Sequence, residues 1–111
     1  MADNSEYQAL CARSEALGKA APDVMKAFGA LHGAVVKEGA LTVKTKELIA
    51  LMISVIVKCH PCIQAHTRGC IAAGVTREEL AEAIGVAVMM GGGPATAYGG
   101  IVLDLFDQLK K

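Results

Sequence analysis

KELIALMISVIVKCHPCIQAH, residues 46–66, is the stretch on which the fold turns. Leu48, Leu51, Met52 and Val55 recur at helical spacing, while Ile49, Ile53, Ile56 and Val57 fill the remaining faces. A helix apolar on every side is a buried one, so this segment is expected at the centre of the fold. Short apolar runs such as Ile53 to Val57 also fit a buried strand, but the length from Lys46 to Lys58 without a turn signal favours a helix. Pro61 then stands where a following helix has its first turn, a position proline tolerates because its missing N–H has no partner there anyway. The pair Cys59-x-x-Cys62 therefore lies at a helix N-terminus.

Working outward, the same signals divide the whole chain into helices. The fourth helix, opened by Cys59 to Cys62, runs to about Ala73 with Gly74 as its stop. Upstream, a first helix covers about Ser5 to Leu17, and a second begins near Pro22 and stops around Gly39, a suitable C-terminal cap. The central third helix starts near Thr42 to Thr45. Downstream, Thr76 and Glu79 form a T-x-x-E capping box that opens a fifth helix toward Met90, and Pro94 opens a sixth ending near Lys110. The expectation is one all-α domain over residues 1–111, of about six helices with short connections and no internal repeat.

Composition narrows the function classes. Apolar residues make up 53% of the 111, a large share for a small domain whose surface needs polar cover, which points to apolar surface meeting other subunits. Eleven basic and eleven acidic residues cancel, and the basic ones are scattered from Arg13 to Lys111 without a stripe, so there is no nucleic-acid footprint. Residues 83–103 carry no formal charge and are long enough on paper to cross about 30 Å of hydrocarbon. Gly91, Gly92, Gly93 and Pro94 at their centre read instead as a helix stop and a helix start, so no membrane association is expected. The opening residues lack a basic and an apolar region of the secretory kind, which makes the cytoplasm the expected compartment. In that reducing setting the four cysteines, Cys11, Cys59, Cys62 and Cys70, are not needed as structural staples.

Glu47, Cys59, Cys62 and His66 form the pattern E-x11-C-x-x-C-x-x-x-H, a dithiol beside its own proton relay. Residues three and four apart share a helix face, which brings Cys59 to Cys62 and Cys62 to His66. Cα atoms one turn apart fall within the roughly 4.4 to 6.8 Å a disulfide tolerates. The helix N-terminus and a nearby imidazolium both favour thiolate over thiol. Glu47, amid Leu48, Ile49 and Ala50, needs a partner for its carboxylate, and His66 is the suitable one. A carboxylate that orients a histidine, which takes a proton from a cysteine, is an activated nucleophile. With a second thiol present, one sulfur is able to attack a peroxide O–O bond and pass through sulfenic acid to a disulfide, which an external dithiol then reduces.

This arrangement, on two consecutive helices and followed by G-V-T-R-E-E-L-A-E-A, resembles the alkylhydroperoxidase D-like branch of the carboxymuconolactone decarboxylase superfamily over about residues 20–105. The resemblance implies an all-α fold assembled as trimers or hexamers, and thiol-dependent reduction of organic hydroperoxides without a cofactor or metal. It further implies that Cys62 is the peroxide-attacking thiol, Cys59 the resolving one, and Glu47 with His66 the proton relay. The implied reductant is a dithiol carried by a lipoyl-bearing or thioredoxin-like protein. Relatives carry a second histidine directly before the second cysteine; here that place is Pro61, with His60 one residue earlier as an accessory candidate.

Other readings attach to the same residues. Cys59, Cys62, His66 and Cys70 are soft metal ligands, but the last three rise over about 12 Å of helix, too far for one ion, which leaves three ligands plus Glu47 as the metal alternative. The decarboxylase branch of the same fold relies on glutamate and histidine without the paired cysteines, and a redox-sensing or disulfide-exchange module would keep the dithiol without peroxide turnover. Cys11 and Cys70 taken alone are expected to pack, as are Met89 and Met90. His32, among Phe28, Leu31 and Val35, reads as a packed or interface residue, Tyr98 as core with its hydroxyl at the rim, and Arg77, Glu78 and Glu82 as a solvated face.

Overall fold

Backbone hydrogen bonding in the computed structural model, which describes residues 5–111, resolves those residues into helices and short connections. They are α1 (Ser5–Ala20), α2 (Pro22–Val35), α3 (Val43–Ile56), α4 (His60–Ala72), α5 (Arg77–Gly91) and α6 (Gly93–Lys110), with no strand among the described residues. The expected all-α architecture of six helices is therefore present, with Cys59 and Cys62 at the start of the fourth.

The helix starts follow their local chemistry. Thr42 caps α3 by accepting the Thr45 N–H at 3.1 Å. The box on α5 is reciprocal: Thr76 accepts the Glu79 N–H at 3.1 Å, and Glu79 accepts the Thr76 N–H at 2.8 Å. Pro22, Pro61 and Pro94 each occupy the first turn of their helix.

Two helix ends share one device. At the end of α4 the Val75 N–H donates to Cys70 O and the Gly74 N–H to Ile71 O, with Gly74 at φ 85°. At the end of α3 the Cys59 N–H donates to Ser54 O and the Lys58 N–H to Val55 O in the same pattern, but the left-handed position, φ 59°, is filled by Lys58. Lys58 is the sole non-glycine residue of positive φ among the described residues. The end of α2 departs from expectation. The helix stops at Val35 and not at Gly39, because Lys46 from α3 reaches across and donates to Val35 O at 2.9 Å and Lys37 O at 2.8 Å. A side chain from another helix satisfies the carbonyls that a glycine cap would have served.

The core lies within α3 to α6. Leu51 and Val55 of α3 pack with Ile63 and Cys70 of α4, Leu80 of α5, and Val102 and Phe106 of α6, all essentially without solvent exposure. Helices α1 and α2 form a hairpin that buries no residue of its own. It is held to α4 where the Arg68 guanidinium lies 3.6 Å from the centre of the Tyr7 ring, a cation–π contact.

Three expectations of burial are corrected. Helix α3 is central but not buried all round: Ile49, Ile53 and Ile56 are exposed and, with Val86 and Met90 of α5, line an apolar groove of about 410 Å³. Met89 and Met90 are not core residues, being 74% and 76% exposed. Cys11 is exposed as well, whereas Cys70 is buried as expected. An apolar periodic pattern says that a face avoids water and not whether its cover comes from the same chain. The uncharged stretch 83–103 is split between α5 and α6 at Gly92, φ 70°, and no described helix is long and apolar enough to cross a membrane.

Close approach of α5 and α6 depends on Gly99, where a Cβ would stand 2.6 Å from Ile84 Cγ2, while a Cβ at the neighbouring Gly100 meets nothing within 4 Å. Gly99→Ala is expected to lower stability to urea by about 1–3 kcal/mol. Gly100→Ala, which only removes unfolded-state freedom, is expected to be neutral or to stabilise by up to about 1 kcal/mol. Equal effects of the two would contradict the packing described.

Candidate functional site

Two helices build the site from opposite sides of one contact. Glu47 sits in the first turns of α3 and faces inward, only 7% exposed. A carboxylate so withdrawn from water requires a partner. His66, one turn beyond Cys62 on α4, provides it: its Nδ1 lies 2.7 Å from Glu47 Oε1. Toward a carboxylate the Nδ1–H is the donor, which leaves Nε2 as the acceptor on the other side of the ring. The structure thus brings together Glu47 and His66 as the spacing suggested.

What the spacing did not reveal is how the carboxylate fits between the helices. A Cβ at Gly69 would stand 2.6 Å from Cδ, Oε1 and Oε2 of Glu47 at once. The missing side chain on α4 is the seat of the carboxylate. A glycine inside a helix is about 1 kcal/mol less favourable than alanine, and that penalty is the one sequence signal that could have pointed to a close approach.

The cysteines occupy the first turn of the same helix. Cys59 is the N-cap residue of α4, and its Sγ accepts the Cys62 N–H at 3.2 Å. Cys59 and Cys62 are joined as a disulfide with their Cα atoms 5.2 Å apart. Sulfur here faces the exposed amides and positive end of α4, the environment that favours a thiolate when the bond is opened. Cys70 is the contrast. Burial, with the negative charge of Glu47 nearby, pushes its thiol up to about 12, so it stays protonated and unreactive at neutral pH.

The remaining histidines divide. His60, on the exposed first turn of α4, turns its ring toward Tyr98 of α6, with centroids 5.3 Å apart and planes tilted by 50°. His32, expected to be packed or at an interface, is exposed in the single chain and lies alongside His66, the ring centroids 6.3 Å apart and the planes within 19°. No periodicity in α2 signals that one of its side chains reaches toward His66. Among the described residues no group of three or more His, Cys, Asp or Glu side chains is gathered as a metal ion would need.

The sequence pattern of the carboxymuconolactone decarboxylase family matches residues 22–103, most of the chain. The chain belongs to the carboxymuconolactone decarboxylase family. Among solved structures, the apo form of a carboxymuconolactone decarboxylase family protein from Legionella pneumophila superposes with a TM-score of 0.90 at 38% identity, covering 94% of this chain and 93% of that one. A second family member, from Thermotoga maritima, for which an involvement in antioxidative response has been suggested, gives a TM-score of 0.72 at 34% identity over 78% of this chain and 74% of its own. In sequence, an uncharacterized protein of Cupriavidus necator is 39% identical over 94 residues, covering 85% of this chain and 83% of that protein. An uncharacterized protein of the cox locus of Paracoccus denitrificans is 37% identical over 109 residues, 98% of this chain and 97% of its own. Within this family, the paired cysteines beside Glu47 and His66 are consistent with the alkylhydroperoxidase D-like branch.

Gly69→Ala is expected to expel the Glu47 carboxylate from its seat, lower stability by about 1–3 kcal/mol, and abolish the hydrogen-bonded imidazole N–H resonance of His66 in proton NMR. Gly18→Ala, at a position with nothing within 4 Å, should leave that resonance in place. Survival of the resonance in Gly69→Ala would mean the carboxylate does not depend on this notch.

Proposed function

We propose that this protein is a thiol-dependent peroxidase that reduces organic hydroperoxides through Cys59 and Cys62. The observation that carries the reading is a disulfide-forming pair at a helix N-terminus within one turn of a histidine already held by a carboxylate. Cys62, which shares a face with His66, is the attacking thiol, and Cys59 the resolving one. Glu47 holds His66 with Nε2 free to take the Cys62 proton. The thiolate displaces an alcohol from the hydroperoxide and becomes sulfenic acid; Cys59 then condenses with it, releasing water and forming the disulfide. An external dithiol, from a lipoyl-bearing or thioredoxin-like partner in a reducing cytoplasm, restores both thiols by exchange. The antioxidative involvement suggested for the Thermotoga protein is in keeping with this chemistry.

The test is to treat the fully reduced protein with one equivalent of cumene hydroperoxide and map its cysteines by mass spectrometry, alongside Cys62→Ser and Cys59→Ser. The expected outcome is a Cys59–Cys62 disulfide in the wild type, sulfenic acid on Cys62 when Cys59 is absent, and no modification of Cys70. Thiols that stay reduced throughout would refute the peroxidase reading.

The same reading includes a homo-oligomer, a trimer or hexamer. Val24, Phe28, Leu31 and Val35 form an exposed apolar stripe along α2, and the α3–α5 groove presents a second such surface. Light scattering is expected to give at least three times the mass of one chain, and a monomer at micromolar concentration would overturn this part.

A further inference from the structure

Peroxide reduction needs a proton at two places. One leaves the attacking thiol, and one must reach the alkoxide as the O–O bond breaks. Glu47 and His66 account for the first. His66 Nδ1 is committed to Glu47 at 2.7 Å, so a single ring nitrogen remains for all other proton traffic. A second acid would protonate the departing oxygen without waiting for His66 to turn its own proton around, and the described residues supply two further imidazoles, His60 beside the cysteines and His32 beside His66. His60 is engaged with the ring of Tyr98, toward α6. His32 lies alongside His66 itself, nearly parallel to it, with the ring centroids 6.3 Å apart. That spacing is wider than ring contact, and since imidazole nitrogens bond in the plane of the ring, an oxygen shared by the two would sit at their common edge and not between their faces.

The approach of His32 to His66 follows from how the α1–α2 hairpin is tethered. Helix α2 is tethered beyond its last turn by Lys46, which donates to Val35 O and Lys37 O, and the α1–α2 hairpin is anchored by Tyr7 on Arg68, two residues after His66 on α4. An exposed histidine is thereby carried to the site from a helix that contributes nothing to the core.

We propose that His32 is the general acid of peroxide reduction, delivering a proton to the departing alkoxide; this rests on the peroxidase reading above. The step balances as follows. The Cys62 thiol gives its proton to His66 Nε2, and the thiolate attacks the terminal peroxide oxygen. The S–O bond forms while the O–O bond breaks, so sulfur is oxidised and the peroxide reduced. The alkoxide takes the proton of protonated His32 and leaves as the alcohol. His66 passes the thiol proton to His32 through a bridging water, which restores both rings. Cys62 is left as sulfenic acid, with no net proton taken up or released.

A general acid matters in proportion to how poor the leaving group is. The experiment compares reduced wild type and His32→Gln by stopped flow with cumene hydroperoxide, which expels an alkoxide, and with peracetic acid, which expels acetate and needs no such help. His32→Gln is expected to lose about 100-fold or more with cumene hydroperoxide and to change by less than about 3-fold with peracetic acid. An equal loss with both oxidants would reduce His32 to a structural contact, and an unchanged cumene hydroperoxide rate would remove it from the reaction; either result overturns the proposal while leaving the peroxidase reading intact. A wild type that reacts with neither oxidant overturns the peroxidase reading and the role of His32 together. Because the side chain is exposed and the ratio of two rates is read within one protein, loss of active material does not imitate the expected result.

Discussion

Everything near the dithiol depends on one buried contact between a carboxylate and an imidazole, the 2.7 Å approach of Glu47 to His66. A carboxylate this far from water is tolerated only with a partner close by, and the partner lies on a different helix. The contact therefore sets the rotation and register of α4 against α3. Once it is made, Cys62 is held one turn above His66, Cys59 becomes the cap of the same helix, and Cys70 one turn below is pressed against both the core and the carboxylate charge. Two thiols on one helix, eight residues apart, are thus driven to opposite chemistry by position alone. Gly69 makes the contact sterically feasible, and the buried carboxylate makes it necessary.

Much of this was legible in the sequence. Proline at helix starts, the Thr76 to Glu79 capping box and the periodicity of α3 are local signals, and they placed most helix boundaries within a few residues. The pairing of Glu47 with His66 was readable because a lone carboxylate in an apolar run has few solutions. What failed were readings that depended on contacts between distant segments. The end of α2 is decided by Lys46 and not by Gly39, the partner of His32 lies on α4, and the exposure of Ile53, Met89 and Met90 depends on which surfaces the fold leaves uncovered. Hydrophobic periodicity reports a face and is silent about its neighbour.

The four-helix core and the N-terminal hairpin divide the labour differently. Helices α3 to α6 hold themselves together by buried apolar contact. The hairpin buries no residue fully, and directed contacts tie it down, the Tyr7 ring over Arg68 and the two carbonyl bonds from Lys46. Polar and cation–π contacts of this kind each contribute modestly, about 0.5–2 kcal/mol, yet they are directional in a way that apolar burial is not. A segment held by direction more than by burial can be placed accurately without being part of the core, which is what carrying His32 to His66 requires.

Lys58 gives the corner before the dithiol a mechanical character. Val57 and Lys58 are the only residues between α3 and the cap of α4, and both donate their N–H groups back into α3. A left-handed turn with a lysine is stiffer than one with a glycine, since the side chain closes off most other backbone angles. The paired cysteines consequently ride on a rigid elbow whose displacement is that of two packed helices. No loop intervenes between that elbow and the core, so the two sulfurs keep the same bearing on α3 that the packed helices have.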